Sequence, residues 1–283
     1  MIIYKNIKRL TFFIILIINI ISSAAELPVS GRGGGMGDAF IAMRGSSASV
    51  YYNPAVIMFQ NGITSELCFG WSKLSLPEDW SVTYARPQSR DSYFGLGLIR
   101  HKLESQGKSY RSFQALMPVT YSISGNIKSG FNIKYITQKI DAGDYNSKIS
   151  LDFGSIMKTG VFSFGFMARN FLHPGYYSFP SNLTFGAGLE LTRVNLEADW
   201  RAGKWEEFNS EDGEFLFGVE LKLNEQFYIR CGREQTENRD LWSFGFSLGE
   251  LLSAMRLDYC FRGEEDNFKA GTHWISYSYS TER

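Results

Sequence analysis

From Gly62 onward apolar and polar residues alternate with a period of two, the pattern of β-strands with one apolar face. In 194–201, Val194, Leu196, Ala198 and Trp200 share one face, and Asn195, Glu197, Asp199 and Arg201 the other. Residues 241–249 repeat the arrangement, with Trp242, Phe244, Phe246 and Leu248 set against Ser243, Gly245, Ser247 and Gly249. The same reading predicts strands near 63–73, 80–87, 92–101, 110–123, 126–139, 146–157, 161–169, 181–191, 194–201, 214–223, 226–233, 241–249, 252–262 and 270–280.

A soluble sandwich also alternates, so the connections decide. Every second one is tight, such as 124–125, 158–160 and 224–225. The intervening ones are longer, such as "NFLHPGYYSFP", "AGKWEEFNSEDG" and "RGEEDNFKA". About fourteen strands with long loops at one end and tight turns at the other predict a closed antiparallel transmembrane β-barrel over 62–283. Lipid offers a free strand edge no hydrogen bonds, so the first strand must pair with the last. In that last strand His273, Ile275, Tyr277 and Tyr279 are expected to face outward, and Thr272, Trp274, Ser276 and Ser278 inward. The chain ends on Glu282-Arg283 instead of the aromatic residue more usual in such barrels.

The ends sharpen this. Residues 1–25 read as a signal peptide cleaved after Ala25, with Lys5, Lys8 and Arg9 ahead of the apolar run 10–21 and small residues at 23–25. That run falls short of the ~20 residues a spanning helix needs. The expected location is the bacterial outer membrane, with lipid as the first partner. Aromatic residues make up 16% of the chain, in keeping with girdles at two membrane interfaces. Without the leader, 26 basic side chains face 29 acidic ones, a balance that excludes a nucleic-acid binder. Cys68, Cys231 and Cys260 are widely spaced and read as unpaired thiols, with no metal-ligand spacing and no cofactor motif.

Residues 26–61 precede the first strand and are too irregular to be one. They are expected to form a plug in the bore, with Asn53 capping a short helix that starts at Pro54. The glycines of "GRGGGMGDAF", Gly35 and Gly37 among them, suit a backbone that turns tightly against a wall. Met36 occupies the place of the third glycine of a dinucleotide loop, and no Gly-Lys-Ser/Thr follows, so a phosphate cradle is excluded.

At these residues the chain resembles a family. "GMGDAFIA" followed by "SSASVYYNPA" is similar to the N-terminal signature of the PorV/PorQ proteins, relatives of FadL-type fatty-acid channels, and "MRLDYCF" with "GTHWISYS" is similar to their closing hairpin. The usual pattern runs G-M-G-G-A-F-V-A, a short acidic piece, then Y-Y-N-P-A-G. Here Asp38 replaces a glycine, "RGSS" replaces the acidic piece, and Val56 replaces the last glycine. The resemblance implies a non-enzymatic barrel that engages secreted cargo proteins or secretion-system subunits in type IX-like protein secretion. The alternatives are a FadL-like channel for a hydrophobic ligand and a structural or adhesive barrel.

Candidate residues follow from the alternation. Lys134, Arg169, Lys222, Arg230 and Arg256 are expected in the lumen with Asp152, Glu190, Glu197, Glu220 and Asp258, and Asp199 joins them beside Glu197. Mixed signs favour a narrow, plugged lumen whose charges pair across it or with the plug, or else simply solvate a wet interior; Asp38, Asn53 and Pro54 are the candidate residues of the plug itself. Pro118 has no N–H for the ladder, which predicts a bulge or kink; it is either a packing irregularity with no role or, as the resemblance to FadL-type channels implies, a sideways exit for an apolar ligand. Phe171, Leu172, Tyr176, Tyr177, Phe179, Trp205 and Phe208 sit in the two long connections, as a protein interface or as headgroup anchors. His101, His173 and His273 fall in separate hairpins with no G-x-S-x-G elbow, so catalysis is not expected.

Overall fold

A computed structural model of the chain describes residues 28–72, 79–89, 92–105, 108–172, 179–202, 213–236, 239–249, 254–265 and 267–281. The expected leader over 1–25 lies outside them. Among the described residues there are fourteen strands: β1 (Thr64–Ser72), β2 (Asp79–Ser89), β3 (Ser92–Ser105), β4 (Lys108–Ser122), β5 (Ile127–Ile140), β6 (Asn146–Thr159), β7 (Phe162–Arg169), β8 (Asn182–Glu190), β9 (Val194–Ala202), β10 (Glu214–Lys222), β11 (Phe227–Thr236), β12 (Arg239–Gly249), β13 (Met255–Glu264) and β14 (Asn267–Ser280). Each pairs antiparallel with its neighbour in sequence, and β1 pairs with β14 from Thr64↔Ser280 to Ser72↔Thr272, so the barrel is closed.

Alternation becomes two surfaces. The outer one carries large apolar side chains that are roughly half-exposed, among them Phe131, Ile133, Phe164, Phe185, Phe217 and Phe244. Tyr121, Phe131, Phe153, Phe166, Phe185 and Trp200 stack ring against ring from β4 to β9. So much contiguous apolar surface is untenable in water, whereas a sheet with no free edge is at home in hydrocarbon. Among the described residues no helix is long and apolar enough to cross a membrane.

The inner surface holds the charged residues expected there. Lys134, Asp152, Arg169, Glu197, Asp199, Glu220, Arg230 and Asp258 are all buried. Five of them are ion-paired, Lys134 Nζ with Asp152 Oδ1 at 2.6 Å and Arg230 with both Asp258 (Nη1–Oδ1, 3.0 Å) and Glu220 (Nε–Oε2, 2.6 Å). Arg256 reaches Asp258 at 2.9 Å, and Glu190 takes Lys158. Lys222 instead turns to Glu225 beside the turn after β10. The thiols are free; Cys68 and Cys260 pack against Trp274 inside.

The connections depart from the expected alternation. The segment "RGEEDNFKA" is not a long loop, because β13 runs to Glu264 and β14 starts at Asn267, with Glu264 and Asn267 in register. β3 and β4 likewise extend to Ser105 and Lys108. Backbone pairing continues past the apolar band, which the side-chain pattern does not mark because the alternation of apolar and polar residues lapses there.

Candidate functional site

Residues 28–61 fill the bore as a hatch, and its backbone is shaped by a few local rules. Ser30 caps α1 (Gly31–Gly35), its hydroxyl accepting from the amides of Arg32 and Gly33. The glycines let this helix lie on the wall, where a Cβ at Gly31 would stand 2.9 Å from Ser276 Oγ. The chain then turns through two left-handed residues, Gly37 (φ 67°) and Asp38 (φ 59°). Asp38 stands where the family pattern has glycine, and the pattern's reason is visible: this conformation disfavours a side chain. Here two contacts hold it, Tyr52 Oη donating to Asp38 Oδ1 at 2.6 Å and Arg262 Nη1 donating to Oδ2 at 2.5 Å. Burial, reinforced by the Asp38 carboxylate, raises Tyr52 well above the usual phenol value and keeps it a donor.

A second helix, α2 (Ser49–Tyr52), leads to the predicted cap. Asn53 Oδ1 accepts from the Ala55 amide at 3.1 Å and Pro54 opens a 3-10 turn over Pro54–Phe59. Asn53 Nδ2 also donates to the carbonyls of Ile41 (2.8 Å) and Ser155 on β6 (3.1 Å), tying two hatch segments to the wall.

The wall grips the hatch through three ion pairs and a pair of carboxylates. Arg32 makes a two-pronged bond to Glu220 on β10, at 2.9 and 2.7 Å. Burial opposes its charge, but the Glu220 carboxylate outweighs that and its pKa is raised. Arg262 on β13 holds Asp38, and Arg44 meets Glu190 on β8 at 2.7 Å. On β9, Asp199 Oδ2 accepts from the amides of Phe40 (3.0 Å) and Ile41 (3.4 Å), and Glu197 Oε1 from that of Ala42 (2.5 Å). Arg169 lies over the Tyr51 ring, 4.6 Å from its centre.

Sequence reasoning missed the complement to the hatch glycines. Gly154, Gly165, Gly218 and Gly232 point into the bore where the hatch passes closest. A Cβ on Gly165 would come within 2.7 Å of the Ile41 carbonyl, one on Gly218 within 2.6 Å of the Met36 carbonyl, and one on Gly232 would fall on the Gly37 amide. Glycine at an inward-parity position of a strand was the signal available for them.

Against β2–β4 the hatch is apolar. Val50, Met43, Phe40 and Ile57 form one buried cluster with Ala85, Ile99 and Leu116 of these strands. Here Pro118 acts. Phe94 pairs with Val119 and Gly97 with Leu116, but the two steps between, Gly95 and Leu96 against Pro118 and Met117, are absent from the β3–β4 ladder. Register is kept across the gap, so Pro118 makes an interruption instead of the expected bulge, and the β4–β5 seam on its other side is unbroken. Proline without an N–H and glycine without a side chain meet there. Behind the gap lies Val50, and on its outer face Leu96 and Met117 are exposed. Register shifts do occur elsewhere, near Pro87 and near Arg262.

The loop candidates separate. Tyr176, Tyr177, Trp205 and Phe208 lie outside the described residues, as does His173. Leu172 is exposed and Phe171 partly so, but Phe179 is buried and so presents no side chain to a partner. Its loop returns to the wall through Ser181, whose hydroxyl donates to the Asn170 carbonyl at 2.8 Å. His101 and His273 cannot act together: His101 faces the bore beside Asp79, whereas His273 faces outward, stacked on Trp71 and hydrogen-bonded to Tyr259.

No known family model matches the chain, and no curated protein matches it in sequence. Solved structures match its shape. The Ralstonia pickettii toluene transporter TbuX superposes with a TM-score of 0.67 at 12% identity, over 92% of this chain and 99% of that one. The Pseudomonas putida toluene transporter TodX gives 0.66 at 13%, and a Pseudomonas aeruginosa FadL homologue 0.66 at 11%, each over 92% of this chain and 99% of its own. At these identities the likeness is one of fold, and it supports the expected FadL-like architecture without reaching the PorV/PorQ assignment: the chain is a closed fourteen-stranded barrel, similar in fold to these structures, with residues 28–61 seated in the bore.

Proposed function

We propose that this protein is a non-enzymatic bacterial outer-membrane channel for hydrophobic small molecules, which leave the bore sideways between β3 and β4. Thr64 and Ser280, where β1 begins and β14 ends, lie at one end of the barrel, taken as periplasmic, and ligand enters from the other. The observation that carries the reading is the interrupted β3–β4 ladder, apolar from Val50 on the hatch to Leu96 and Met117 on the lipid face. A route straight down the bore would have to part the buried Arg32–Glu220 and Asp38–Arg262 pairs, and breaking such pairs is strongly unfavourable. A sideways route breaks no ion pair. The toluene transporters that share the fold support the ligand class.

The test is uptake of radiolabelled toluene and oleate by cells expressing the natural protein or Pro118→Thr, which restores a ladder N–H in a strand-favouring residue. Uptake is expected to fall in the variant while the barrel stays as heat-resistant. Undiminished uptake by Pro118→Thr would contradict the sideways route. The secretion reading rests on the N-terminal motif and the closing hairpin, and the burial of Phe179 removes one of its proposed contacts.

A further inference from the structure

At the end of the barrel opposite Thr64 and Ser280, the outward positions of β3–β5 carry Arg100, Lys102, Arg111 and Lys139. Arg111 is the register partner of both Lys102 and Lys139, so three cations stand abreast on three adjacent strands. Like charges directly opposed in a sheet destabilise it unless an anion lies among them. Arg100 and Arg111 have no carboxylate partner among the described residues, and the Lys139 ammonium lies 5.4 Å from the centre of the Tyr145 ring.

What lies next to the cations identifies the anion. Arg100 is in register with Trp80 on one side and Phe113 on the other, and those two rings are 6.3 Å apart. From them toward the Thr64 and Ser280 end the outer face is apolar, through Leu98 and Ala115 to Leu96 and Met117. Hydrocarbon, aromatic girdle and cations therefore follow one another in the order of acyl chain, interface and headgroup. Across the barrel the same level looks different. Arg233 on β11 is also outward, but it is ion-paired with Asp240 at 2.7 Å and stacked 5.2 Å from the Trp242 ring, so it needs nothing from outside.

We infer that Arg100, Arg111 and Lys139 form a binding site for the phosphates of an anionic lipid in the outer leaflet, a phosphorylated glycolipid of the lipid A type. The acyl chains would lie along the apolar face below Trp80 and Phe113, and guanidinium groups would take the phosphates. This rests on the proposed outer-membrane placement and not on transport.

The test is native mass spectrometry of the full-length barrel in neutral detergent, titrated with bisphosphorylated lipid A, with its monophosphoryl form and with inorganic phosphate. The bisphosphorylated lipid is expected to bind tighter than the monophosphoryl form. The Arg100→Ala/Arg111→Ala/Lys139→Ala variant is expected to bind it about a hundredfold more weakly, the sum of three surface cations. Arg233→Ala, whose charge is already neutralised, should bind as the natural protein does. Unchanged affinity in the triple variant, or an equal loss in Arg233→Ala, would overturn the site. Inorganic phosphate that displaces the lipid at equal concentration would overturn the lipid and leave a free-anion pocket. Heat resistance on gels checks that each variant is folded. Toluene uptake reads the channel separately: a protein that binds lipid A yet moves no toluene keeps this site and loses the channel.

Discussion

The two sides of the bore hold the same hatch by different forces. Along β8–β13 the hold is ionic: among the described residues every ion pair between hatch and wall, Arg32–Glu220, Arg44–Glu190 and Asp38–Arg262, falls there, and so do the carboxylates that bind the amides of residues 40–42. Along β2–β4 it is apolar packing with a few neutral bonds, such as Ser47 with Thr83 at 2.7 Å and Ser81 donating to the Val29 carbonyl. Ionic contacts are directional and do not slide. Apolar contacts exchange readily for contacts with another apolar molecule. One side anchors, and the other is where the proposed channel would let a greasy ligand pass.

The largest effect is expected at the anchor. Glu220→Ala strips a shared partner from two buried guanidiniums, Arg32 at 2.7 Å and Arg230 at 2.6 Å, and is expected to destabilise the seated hatch by about 3–5 kcal/mol. Planar-bilayer recordings should then show larger and noisier conductance than the natural protein; a silent variant would put the anchor elsewhere. Next comes a matched pair of glycines. Gly232→Val drives a side chain into the hatch backbone and is expected to cost about 1–3 kcal/mol, again read as conductance. Gly97→Ala meets only the mobile ends of Leu116 (3.2 Å) and Val50 (3.4 Å) and should leave conductance unchanged. Equal effects at the two sites would erase the contrast between the sides. Asn53→Ala removes a cap and two ties to carbonyls, with an expected loss of about 1–2 kcal/mol in thermal unfolding. Smallest is Arg44→Ala, since its guanidinium is half exposed and solvent screens the pair with Glu190: at most about 0.5 kcal/mol, a barely measurable shift in melting.

Much of this was legible in the sequence because a barrel writes its two surfaces into alternate residues. Val194–Ala202 and Arg239–Gly249 read directly as strands with assigned faces, and the Asn53-Pro54 cap uses only local rules. What lay hidden depends on partners far apart in sequence. Gly232 is small because Gly37 crosses it, and no pattern within β11 says so. Asp38 tolerates a left-handed backbone because Arg262, distant along the chain, meets its carboxylate. Pro118 announced a defect, but whether a ladder bulges or merely lapses depends on what the opposite strand offers, here Gly95. The far-end hairpins were misjudged for the same reason in reverse, because backbone pairing there continues where side chains no longer alternate.

The central claim is that ligand passes while the hatch stays seated, and a cross-link tests it most directly. A Cβ on Gly188 would stand 3.6 Å from that of Ala42, within disulfide range, so Ala42→Cys/Gly188→Cys in a background with Cys68, Cys231 and Cys260 changed to Ala would fasten the hatch to β8. Toluene uptake is predicted to be the same oxidised and reduced. Uptake that vanishes on oxidation and returns with reductant would contradict the account, because the hatch itself would then have to move for anything to cross.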